Sequence, residues 1–193
     1  MMFLTPEQIS NVTGANLQNV EANWPLVCGA LEWAEINRPL VQVGVAATIA
    51  IETGNFLPIK EKESKNPDSA VYKAQQRYYP SGYYGRGYVQ LTWKYNYEAA
   101  TRALGENLID NPDLALQSDT AAKILAWFFK TRRLTNGGRL LYVACLNKDW
   151  PGVRLGVNGP GYQNDMKSLT RFMGYCDALA KIGRVAQGEA LNG

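Results

Sequence analysis

The stretch Pro39-Leu40-Val41-Gln42-Val43-Gly44-Val45-Ala46-Ala47-Thr48-Ile49-Ala50-Ile51-Glu52-Thr53-Gly54 decides the fold class. Pro39 suits the first turn of a helix, where a missing N–H costs nothing, and Gly54 suits the position just past its end. Leu40 to Ile51 carry no charge, so the spacing predicts a central helix buried on most sides. Such a helix carries Glu52 into the interior or to the floor of a cleft.

Working outward, Thr5-Pro6-Glu7-Gln8 combines an N-cap, a proline at the first helical position and a glutamine three residues after the cap, which opens a short helix. Asn16 caps the next, and Pro25 starts another running to about Glu35. Residues 55 to 83, rich in charge, Pro and Tyr without a sustained period, read as loops with at most a small hairpin. Tyr83 to Thr92 supply another short strand. Asn96 to Leu104, Ser118 to Thr131, Gly138 to Leu146 and Asn164 to Gln187 carry apolar residues at three- and four-residue intervals, and Asn136-Gly137-Gly138 separates two of these segments. The expected architecture is mainly α (α+β), a helical domain with a small β-hairpin beside an active-site cleft. At 193 residues and 46% apolar composition, with no linker, repeat or low-complexity segment, residues 1–193 read as one domain without a separate binding module.

Histidine is absent, which removes Ser-His-Asp and Cys-His catalysis, histidine general bases and most zinc sites together. Carboxylate, tyrosine, lysine or cysteine chemistry remains. Cys28, Cys145 and Cys176 are distant and odd in number, with no C-x-x-C pair, and read as buried free thiols. A formal charge of +3 is too small to argue for nucleic acid. Lys130, Arg132, Arg133 and Arg139 form a solvated basic segment that leaves room for weak attraction to an anionic envelope. The start Met1-Met2-Phe3-Leu4-Thr5-Pro6 lacks a basic region followed by an apolar one, and no apolar stretch spans a bilayer. Cytoplasmic accumulation, a monomer and no stable membrane insertion are the expectations.

The chemistry sits in Tyr84-Gly85-Arg86-Gly87-Tyr88-Val89-Gln90-Leu91-Thr92, downstream of Ile51-Glu52-Thr53-Gly54. Glycines let backbone approach a ligand, while Arg, Gln, Thr and Tyr supply the donors and flat faces a carbohydrate requires. Hydrolysing a glycosidic bond takes one carboxylic acid to protonate the leaving oxygen and a second, ionised carboxylate to activate water or attack carbon. Glu52, after Ile49, Ala50 and Ile51, fits the acid, because an apolar wall disfavours its charged form. A shift to the range of catalytic acids costs on the order of 2 to 4 kcal/mol of stability at neutral pH. A hydrogen bond from Thr48 or Thr53 is the structural alternative. The partner comes from Glu61 or Glu63 in Lys60-Glu61-Lys62-Glu63-Ser64-Lys65. Continuous helix would hold Glu61 about 13 Å from Glu52, but Gly54 and Pro58 break the helix and let the loop fold back. A gap of roughly 6.5 to 9.5 Å predicts inversion and about 5 Å a covalent intermediate.

Taken in order, Glu-Thr-Gly after an apolar helix, Tyr-Gly-Arg-Gly-x-x-Gln-Leu-Thr, Asn111-Pro112-Asp113-Leu114 before Trp127-Phe128-Phe129, and Val157-Asn158-Gly159 resemble glycoside hydrolase family 19, the group of plant-type chitinases and compact bacteriophage endolysins. The matching blocks span about Val41 to Tyr162. The resemblance implies a lysozyme-like fold and an inverting single displacement with no metal and no cofactor. It makes Glu52 the general acid, Glu61 the general base, and Thr92 the residue that holds the nucleophilic water. Asn158 matches a sugar-contacting Asn. Arg86 and Gln90 line or brace the cleft, and Tyr88 and Tyr95 stack on sugar.

Plant-type chitinases typically have His where this chain has Ile51, and the segment between the acid and the signature is short here. Those departures favour an endolysin-type muramidase acting on peptidoglycan glycan strands after release through a separately made membrane hole. A chitinase on the same scaffold is the alternative. A lytic transglycosylase, with one essential carboxylate, and a non-catalytic sugar-binding protein using the Tyr-rich segment from Tyr72 to Tyr97 are further readings. Ser168 to Val185, with Lys181 and Arg184 beside Leu169, Phe172, Leu179 and Ile182, reads as a core-packing helix in preference to a membrane-disrupting one.

Overall fold

The computed structural model describes residues 1–134, 138–159 and 166–186, with side chains to Ile182. The expected turn at Asn136-Gly137, the ends at Asn164 and Gln187, Tyr162 and the side chains of Arg184 and Val185 lie outside the described residues.

Helix α1 (Pro6–Thr13) opens with the reciprocal cap between Thr5 and Gln8. Helix α2 (Leu17–Trp33) is capped by Asn16 and runs straight through Pro25, so the helix start expected there is corrected. The proline forfeits only the bond to the carbonyl of Glu21, and both residues are exposed. Val20, Trp24, Val27 and Leu31 bury one continuous stripe on either side of it, which outweighs the local loss.

Helix α3 (Pro39–Thr53) is the central helix, with every residue from Val41 to Ala50 buried and Gly54 in the left-handed conformation past its end. It packs against α7 (Leu141–Leu146) and α9 (Met166–Ala186), while α2 packs against α6 (Ser118–Thr131). Its one long polar residue, Gln42, is fully buried. The side chain accepts from the amides of Phe3 (2.9 Å) and Leu4 (3.2 Å) and donates to the carbonyl of Met1 (2.9 Å) and to Asn37 Oδ1 (2.7 Å). A fully satisfied buried amide ties the start of the chain to the core without leaving an orphan group.

After α3 the chain makes β1 (Ile59–Lys60), the short helix α4 (Ala70–Gln75), a 3-10 turn at Tyr79–Ser81 and β2 (Arg86–Gly87). The two strands pair antiparallel, Ile59 opposite Gly87 and Lys60 opposite Arg86. The small hairpin-like sheet is therefore present, but α4 occupies sequence read as loop. At six residues, one and a half turns, it is too short to show a period.

Helices α5 (Lys94–Leu104), α6 (Ser118–Thr131) and α7 (Leu141–Leu146) follow, with a 3-10 segment at Pro112–Leu116. Helix α8 (Trp150–Asn158) was not anticipated; Asp149 caps it by accepting from the amide of Gly152 (3.0 Å). Helix α9 (Met166–Ala186) buries Phe172, Cys176 and Leu179 against α1, α3 and α8. Its apolar stripe is core. The fold is mainly helical with one two-stranded antiparallel sheet, as its sequence pattern predicts. Among the described residues no helix is long and apolar enough to cross a membrane.

Candidate active site

A cleft of about 400 Å³ opens between the end of α3, the loop around β2, the C-terminal end of α6 and the end of α8. Glu52, Thr92 and Asn158, from three distant segments, line it together, with Gln90, Tyr95, Phe128 and Arg132 around them.

Glu52 reaches the cleft because α3 ends within one residue of it and Gly54 turns the chain away. Its surroundings differ from the apolar wall expected. The Arg154 guanidinium, only 4% exposed, pairs with Glu52 Oε1. The Asn158 amide, oriented with its nitrogen toward the carboxylate, donates to the same oxygen at 3.2 Å, and its oxygen accepts from Arg154 Nη2 at 2.8 Å. The hydroxyls of Thr48 and Thr53 do not serve Glu52; they donate to the carbonyls of Gly44 (2.8 Å) and Ile49 (2.9 Å) on their own helix. Glu52 is thus held by an ion pair, and its side chain keeps 14% exposure toward the cleft.

Glu61 extends the β1 pairing, its amide donating to the carbonyl of Gly85 (2.8 Å). Its carboxylate collects three donors: Tyr78 Oη (2.6 Å) and Gln75 Nε2 (2.9 Å) on Oε1, and the amide of Gly85 (2.9 Å) on Oε2. A side chain at Gly85 would crowd both Glu61 and the Gln90 amide oxygen, so the glycine is what permits this close approach. Glu63 points elsewhere, paired with Lys65 (2.9 Å) in solvent.

The signature segment divides in two. Gln90 faces the cleft, and its amide also donates to the carbonyls of Ile59 (3.1 Å) and Gly87 (3.0 Å), tying the strands together. Thr92 faces the cleft and donates to the carbonyl of Gln90 (2.8 Å). Arg86 and Tyr88 do not line the cleft, which corrects the stacking expected of Tyr88 and a substrate contact for Arg86 and leaves Arg86 the bracing role. Arg86 is buried, bonded to Asp113 Oδ1 (2.6 Å) and to the carbonyl of Gly82 (2.9 Å), and lies against the rings of Tyr84 and Tyr97. Tyr88 is fully buried, its hydroxyl donating to Asn23 Oδ1 (2.7 Å). Burial opposes ionisation of Asp113, but Arg86 and Lys60 outweigh it and hold the carboxyl below its usual range.

Tyr95, 61% exposed, lies on the cleft wall and stacks on Trp93 with ring centroids 6.4 Å apart and planes 17° from parallel. Trp93 adopts φ +76°, a conformation a bulky residue rarely holds and one that concentrates at ligand sites. Trp93, Asn96, Tyr78 and Arg132 line the cleft and were not singled out as site residues. The aromatic run Trp93-Lys94-Tyr95 immediately after Thr92 was the available signal for the first.

The family model for chitinase class I, glycoside hydrolase family 19, matches residues 45–138. The acidic endochitinase SP2 of Beta vulgaris is 36% identical over 153 residues, 75% of this chain and 50% of that protein. The endochitinase CHI of Arabidopsis thaliana is 35% identical over 155 residues, 75% and 52%. The chain thus spans about half the length of the curated relatives it matches. Among solved structures, chitinase C from Streptomyces griseus superimposes with a TM-score of 0.64 at 21% identity, covering 96% of this chain and 77% of that one. A bacterial family 19 chitinase superimposes at 0.65 and 22% identity, covering 92% and 95%. At those identities the structural likeness speaks for the fold.

Proposed function

We propose, from its match to the glycoside hydrolase family 19 model and to endochitinases, that the chain hydrolyses β-1,4 bonds of an N-acetylglucosamine-containing polysaccharide by an inverting two-carboxylate mechanism. The observation that supports this most is the convergence of Glu52, Thr92 and Asn158 on one cleft. Glu52 gives its proton to the leaving oxygen, and Arg154 steadies the carboxylate that remains. Thr92 holds a water against the anomeric carbon, and Glu61 receives that water's proton. Gln90 and Asn158 contact the sugar, and Tyr95 stacks on it.

The matching relatives are endochitinases, so a chitin-type polymer stands first as substrate. This reverses the order suggested by Ile51 and the short segment after the acid. One observation favours peptidoglycan as a second reading. Arg132 lines the cleft, rests over the Phe128 ring at 5.6 Å, and among the described residues pairs with no carboxylate. Chitin is neutral, whereas muramic acid carries a lactyl group and peptide stem with carboxylates that a guanidinium can bind.

Mass spectrometry of products from chitin hexasaccharide and from purified peptidoglycan, each digested in heavy-oxygen water by wild type and Glu52→Gln, tests the proposal. Heavy oxygen at new reducing ends, lost in the variant, is expected, and the substrate that yields it decides between the readings. Anhydro ends would point to a transglycosylase instead.

A further inference from the structure

Glu61 lies beside the cleft without forming its wall; Tyr78 forms that wall, together with Glu52 and Thr92. We propose that Tyr78 is the relay through which Glu61 acts, its hydroxyl taking a proton from the nucleophilic water as it passes its own to the carboxylate. The inference rests on the reading of Glu61 as the base.

Three features carry it. The Tyr78 Oη to Glu61 Oε1 bond, at 2.6 Å, is the shortest that the carboxylate makes, within the range of a charge-assisted O–H donor. Because the Tyr78 hydrogen is committed to Glu61, the lone pairs of the hydroxyl are left to accept from a water in the cleft. The ring itself is fixed edge-on against Trp93, another residue of the cleft wall, centroids 5.1 Å apart at 60°, so packing holds a wall residue in its bond to the base. Burial and the Glu61 hydrogen bond also push the phenol well above the usual tyrosine range, which keeps it neutral between turnovers.

The step balances without a tyrosinate. Water oxygen bonds to the anomeric carbon while the bond to the leaving oxygen breaks and that oxygen takes the proton of Glu52. One O–H bond of the water breaks, its proton passing to Tyr78 Oη, and the original Tyr78 proton crosses to Glu61 Oε1. Tyr78 ends as it began, and Glu61 ends protonated.

The test compares Tyr78→Phe, Glu61→Gln, their double variant and Gln75→Leu, measuring kcat, KM and the rate in mixtures of light and heavy water, on whichever glycan the wild type cleaves. Gln75 braces the same carboxylate oxygen without lining the cleft. The relay predicts that Y78F loses kcat on the order of 100-fold, the lower range for a general base, with KM within about twofold. It predicts that the double variant is no slower than E61Q, that Q75L costs at least about tenfold less than Y78F, and that the wild-type dependence on heavy-water fraction curves as three moving protons require, those of Glu52, the water and Tyr78, where direct transfer to Glu61 would move only two. An inactive E61Q beside a Y78F with near wild-type kcat would mean that water reaches Glu61 directly, and the relay is wrong. Equal losses in Y78F and Q75L would reduce Tyr78 to a brace and also overturn it. Full activity in E61Q would remove the base assignment itself, a separate failure. If Y78F does not fold, 3-fluorotyrosine at position 78 replaces it: a changed kcat at constant KM supports the relay, and an unchanged kcat overturns it.

Discussion

Arg154 and Glu52, 102 residues apart in the chain, are paired directly where the end of α3 meets α8. The pair joins the long helix that the apolar run builds to a short one the sequence barely announces. It makes the fold of α8 a condition for the geometry of the cleft.

Arg154→Met therefore costs both stability and rate. Removing one partner of a buried pair leaves the other uncompensated, and a loss of about 3 kcal/mol is expected, seen as a lower denaturation midpoint with unchanged slope. In the fraction that remains folded, kcat falls because Glu52 loses its orientation. A variant as stable and active as wild type would show that the pair does no work in either role.

Arg132 discriminates between the two candidate substrates. Under the peptidoglycan reading, Arg132→Ala raises KM for peptidoglycan about tenfold, the loss of one charge-assisted contact of roughly 1.4 kcal/mol, and leaves a neutral chitin oligomer unaffected. Equal effects on both substrates would assign the guanidinium to packing on Phe128.

Tyr95 contributes a face. Tyr95→Ala is expected to raise KM about fivefold with kcat preserved, equivalent to about 1 kcal/mol for one stacked ring, while Tyr95→Phe behaves as wild type. A loss confined to kcat would mean that Tyr95 positions the reacting groups instead.

The helical frame and the chemistry were legible to different depths. Glu52 could be located because an uncharged run closed by glycine has few interpretations. Its ion partner could not, since local periodicity carries no information about a contact 102 residues away. Tyr88 and Trp93 show a similar limit. They lie five residues apart, within and just after one motif, yet the chain reverses between Arg86 and Leu91, which are bridged, sending Tyr88 into the core and Trp93 to the cleft. Pro25 misled because proline in a helix is judged by the bond it removes, whereas here the removed bond faces solvent.

The three thiols are expected to be inert while the chain is folded. Burial pushes Cys28 up to about 12 and raises Cys145 and Cys176 as well, so at pH 8 only about one Cys28 in ten thousand is the reactive thiolate. Labelling with a thiol reagent at pH 8 is expected to give no adduct on native protein and three in denaturant. Rapid labelling of the native chain would contradict the packing described.

The most direct test of the inverting mechanism is the anomeric form of the first product, followed by proton NMR immediately after mixing enzyme with the cleaved glycan. Inversion predicts that the α-anomer appears first from the β-linked substrate and that Glu52→Gln yields none. A β-anomer appearing first would require two displacements, through a glycosyl-enzyme or through the substrate's own acetamido group, and contradict the single displacement assigned to Glu52 and Glu61.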